Sequence, residues 1–68
     1  RAESPSSEGK TPENPEAAGQ AREHFRTGLK HFRERNYREA IQQFQVAAQY
    51  TPSADLWYNI ARAYEELN

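Results

Sequence analysis

Four side chains at intervals of four, four and three, Arg22, Arg26, Lys30 and Arg33, are the best placed in this 68-residue chain to act together. On a helix those intervals gather them within about 80° of arc, and the chemistry open to such a stripe is the holding of an anion. A solvated helix face has the same pattern, so the stripe is weighed against that simpler reading. The other reactive residue types form no working set. His24 and His31 stand seven apart with no acidic residue at a metal-binding interval, and are read as surface residues. Serines occur mainly before residue 15, where nothing orients a base beside them. Glu65 and Glu66 are adjacent, so on a helix they point apart and make a poor catalytic pair. There is no cysteine and no glycine-rich phosphate loop, so neither catalysis nor a metal, cofactor or small-molecule substrate is expected.

Charge and hydropathy narrow the partners further. The net charge of −1 gives no bulk attraction to nucleic acid. Trp57, Tyr58 and Tyr64 could stack on bases, but no basic tract accompanies them, and aromatic residues at helical spacing are read as core. No apolar run approaches membrane-spanning length. Residues 1–14 are Ser, Pro, Glu and Gly with nothing apolar larger than Ala2, so they are expected to form a disordered tail or linker ahead of a helical domain over residues 15–68.

Three helices would position the cationic stripe. Asn14-Pro15-Glu16 is a helix-start signal, with Asn14 as cap and Pro15 in the first turn, and the spacing predicts a helix over about 15–35. Gly19 weakens its first turn, so a firm helix is expected only from about Gln20, with a frayed extension back to Pro15, and Asn36 is expected to break it. The second helix, over about 37–50, has Tyr37, Ala40, Ile41, Phe44, Ala47 and Ala48 at three- and four-residue intervals. Gln42, Gln43, Gln45 and Gln49 form its solvated face. Thr51-Pro52-Ser53 then stops it and caps a third helix, over about 54–67, whose Trp57, Ile60, Ala61, Tyr64 and Leu67 are expected to pack on the second. Gly28 and the alanines of the second helix let the first pair approach closely.

Phe25, Gly28, Leu29, Phe32, Tyr37, Ala40, Phe44, Ala47 and Pro52, followed by a fresh start at Trp57, Ile60, Ala61 and Tyr64, form a pattern that begins to repeat. From about Ala21 onward the chain resembles the tetratricopeptide repeat family, a helix–turn–helix unit of about 34 residues. Gly28, Tyr37, Ala40, Phe44, Ala47 and Pro52 fall in the family's order, and Trp57, Tyr58, Asn59, Ile60, Ala61 and Tyr64 resemble the opening helix of a second repeat. Pairing Phe25 with Trp57 and Phe32 with Tyr64, an offset of about 32, keeps Phe25, Gly28, Leu29 and Phe32 on one face.

The expected fold is all-α: an antiparallel helix pair and a third, half-repeat helix behind a disordered tail. The resemblance implies a protein–protein interaction module that serves as an adaptor or scaffold and binds an acidic or C-terminal peptide in the groove lined by the first helix of each pair. It makes Arg26, Lys30 and Asn59 similar to parts of the carboxylate clamp of some family members, with Arg22 and Arg33 beside them. A second expectation is weak self-assembly through the outer face of Trp57, Tyr58 and Tyr64. The opening Arg1-Ala2, the absent initiator methionine and the absent cysteine lean toward a mature exported bacterial protein over a cytoplasmic fragment.

Overall fold

Proline at the first turn, a left-handed turn residue and a serine cap set the boundaries of three helices in the computed structural model, which describes residues 15–68. They are α1 (Pro15–Arg33), α2 (Tyr37–Tyr50) and α3 (Ala54–Leu67), an all-α arrangement. The expected tail and the Asn14 cap lie outside the described residues. α1 is helical from Pro15 onward, where the expected helix begins. A side chain at Gly19 would meet nothing within 4 Å, so this glycine costs the helix only its propensity, about 1 kcal/mol.

α1 stops two residues short of the expected end, and Arg35 rather than Asn36 stops it. Arg35 has φ 66°, its N–H bonds the Phe32 carbonyl at 3.0 Å, and the Asn36 N–H bonds the His31 carbonyl at 2.8 Å. This closure satisfies carbonyls left open at a helix end, and the left-handed position normally takes glycine. Arg35→Gly is expected to raise stability by about 0.5–1 kcal/mol. Left-handed backbone costs an L residue about 1–2 kcal/mol, and glycine's greater unfolded-state freedom takes back about half of that. Thermal melts followed by far-ultraviolet circular dichroism check this, and an unchanged or lower midpoint contradicts it.

α2 and α3 begin differently. The Asn36 side chain makes no capping bond, although its carbonyl accepts the Ala40 N–H at 2.9 Å. At α3 the Ser53 hydroxyl accepts the Leu56 N–H at 3.3 Å, a side-chain cap, and Asp55 in the first turn suits the helix dipole. Between them Thr51 closes α2 by donating its N–H to Ala47 at 2.9 Å, and Pro52 forbids continuation.

α2 is the shared layer of the fold. Ala40, Ile41, Phe44, Ala47 and Ala48 are buried on it, with Phe25, Leu29, Phe32 and Tyr37 packed around them. Phe44 is fully buried and meets Phe25 at 5.7 Å between ring centres, while Phe32 sits edge-on to Tyr37 at 5.2 Å. These pairs run in opposite chain directions, as an antiparallel hairpin requires.

Of the face expected to pack on α2, α3 buries only Ile60. Leu56, Ile60 and Ala63 join the core on α2, whereas Trp57 (54% exposed), Tyr64 (50%) and Leu67 (41%) face outward, as does Ala61. Both stripes have helical spacing, and α2 occupies only the first. The offset of about 32 would equate Gly28, packed on the helix that follows it, with Ile60, packed on the helix that precedes it. Among the described residues no helix is long and apolar enough to cross a membrane.

Candidate binding groove

α1 and α3 both pack against α2 and touch each other little; they come together where Arg62 lies over the Phe32 ring and where Phe25 and Leu56 line one cleft, and the space between them is a groove. Its α1 wall exposes part of Phe25, Leu29 and Phe32, which are only half-buried. The cations expected to act here are on the same helix: Arg22, Arg26, Lys30 and Arg33 are all exposed. Arg26 bonds Glu23 at 3.3 Å, with both side chains 68% exposed, a surface pair of the kind that contributes well under 1 kcal/mol. Arg22, Lys30 and Arg33 have no ion pair among the described residues. One salt bridge therefore leaves most of the stripe's charge available.

On the α3 wall Asn59 is half-buried, and its Nδ2 donates to the Asp55 carbonyl one turn back at 2.8 Å. That bond fixes the amide and leaves one Nδ2 hydrogen and Oδ1 for a ligand. Arg62, which sequence reasoning did not single out, reaches across the groove. Its guanidinium carbon lies 5.3 Å from the Phe32 ring centre and 5.9 Å from that of Tyr58, both within cation–π range. The available signal was its position three residues after Asn59, which places both on one flank of the helix. Arg62 is exposed like the cations on α1, but it has two aromatic contacts.

The opposite edge of α1 corrects two further expectations. His24 and His31 are half-buried rather than on the surface. The His24 Nδ1 lies 2.7 Å from Gln43 Oε1, and its ring stacks on Tyr50 with centres 5.9 Å apart. Gln43 is therefore part of the helix interface and not of the solvated face. His24 thus packs α1 on α2, and among the described residues no cluster of three or more His, Cys, Asp or Glu could hold a metal ion. The aromatic residues read as core, Trp57, Tyr58 and Tyr64, are exposed. No family model, curated protein or solved structure matches this chain.

Proposed function

We propose that the chain is a protein-binding module of the tetratricopeptide kind, taking an acidic segment of a partner protein in the groove between α1 and α3. The observation that carries this reading is the pairing of partly exposed apolar residues, Phe25, Leu29 and Phe32, with cations on both walls, the α1 stripe and Arg62. Apolar floor gives affinity and the cations choose the sign of the ligand. No catalytic step is assigned to it.

The test is fluorescence anisotropy with a labelled peptide ending in two aspartates. Binding is expected to weaken at least threefold between about 0.05 and 0.5 M salt, since exposed charges are screened over that range. Arg62→Gln is expected to weaken it by a further roughly three- to tenfold, the loss of one charge-assisted contact. Binding indifferent to both would overturn the reading. A second reading, self-pairing, draws on the exposed Trp57, Tyr64 and Leu67. Burying one such ring contributes roughly 1.5–3 kcal/mol, close to the roughly 4 kcal/mol of a millimolar complex. It predicts concentration-dependent sedimentation that salt leaves unchanged, and so the same salt series separates the two.

A further inference from the structure

We infer that one end of the groove is an anchor pocket for an apolar side chain carrying opposite charges on its two sides, an acidic neighbour toward α1 and a basic one toward α3. The inference rests on the groove reading and gives its ligand a pattern. A cleft of about 280 Å³ opens where the first half of α1 faces the turn between α2 and α3. It is smaller than the ~300–1,000 Å³ of pockets that enclose whole ligands, a size suited to one or two side chains. Ala18, Ala21, Phe25 and Leu56 give it mainly apolar walls.

Two charges stand on opposite walls, Arg22 on α1 and Asp55 on α3. Neither has an ion-pair partner among the described residues. A uniformly acidic peptide would satisfy Arg22 and be repelled by Asp55; a dipolar one satisfies both. Charge and shape thus agree on a peptide whose apolar residue is the anchor.

The whole chain, labelled with nitrogen-15, is titrated with three blocked peptides containing Glu-Leu-Lys, Glu-Leu-Glu or Glu-Ala-Lys, and amide shifts are followed. Glu-Leu-Lys is expected to bind tightest and to move the amides of Ala18, Ala21, Thr51 and Leu56. Glu-Leu-Glu should bind about threefold more weakly, and Glu-Ala-Lys about tenfold more weakly, for want of the apolar anchor. Asp55→Lys should reverse the order of the first two. Ala18→Leu, a good helix former, should fill the cleft and weaken Glu-Leu-Lys about tenfold without lowering the melting midpoint. Equal binding of all three peptides, no binding at millimolar concentration, or an Ala18→Leu variant that binds normally would each overturn the pocket. Shifts confined to Leu29, Lys30 and Arg62 would also overturn it while leaving the groove reading intact. Shifts at the cleft that grow with protein concentration alone would assign it to a second copy of the chain.

Discussion

Phe44→Ala is expected to abolish cooperative folding at 25 °C. The ring is fully buried in α2 and packs between Gly28 and Phe25 of α1, so its removal opens a cavity at the centre of the hairpin. Phe→Ala substitutions in cores cost about 3–5 kcal/mol. A core in this size class rarely supplies more than about 3–5 kcal/mol in total. The loss therefore matches the whole stability. Far-ultraviolet circular dichroism of the variant should show weak helicity without a sigmoidal melt, and a cooperative melt within about 10 °C of the parent would remove Phe44 from the centre of the fold.

Gly28→Ala is expected to destabilise by up to about 2 kcal/mol, although alanine is the better helix former. A Cβ at position 28 would fall 2.6 Å from Phe44 Cε1 and 2.7 Å from Cδ1, and that ring is walled in on every side. Overpacking of this kind costs about 1–3 kcal/mol, more than the roughly 1 kcal/mol that propensity returns. Gly28→Leu should lose more. The same helix holds a control, because a Cβ at Gly19 would meet nothing within 4 Å. Gly19→Ala should therefore raise the melting midpoint while Gly28→Ala lowers it. Midpoints that move together would show that propensity, not contact with Phe44, decides both sites. Partial rescue of Gly28→Ala by Phe44→Leu would locate the strain in that pair.

How much of this was legible in the chain depends on whether a signal was local. The bounds of α2 and α3 follow from Pro52, Ser53 and the periodicity on either side, and the structure has them where the spacing predicts. The end of α1 was less legible, because nothing about an arginine marks Arg35 for a left-handed backbone. The packing face of α3 was misread for a different reason. Leu56-Ile60-Ala63 and Trp57-Ala61-Tyr64 are both acceptable apolar stripes, and only the position of α2 decides between them. Periodicity says that a helix has a face to bury, not which neighbour buries it.

The groove divides in the same way. A stripe such as Arg22, Arg26, Lys30 and Arg33 lies on one helix and is visible as an interval. Arg62 over Phe32 is a contact between residues thirty apart, made by the way α1 and α3 both lean on α2. The pairing of His24 with Gln43 is of the same kind, since a glutamine among glutamines carries no mark of which one turns inward.

The position of α2 between two helices that barely meet also bears on time. Each helix packs chiefly on its neighbour in sequence, so no distant ends must be brought together before contacts begin to reward the chain. Helical chains dominated by such short-range contacts fold in microseconds to milliseconds, against milliseconds to seconds for sheets of similar size. α3 docks on α2 through Leu56, Ile60 and Ala63. The proposed groove and cleft need both α1 and α3 in place, so a segment bound there would be held no longer than the two helices stay docked on α2.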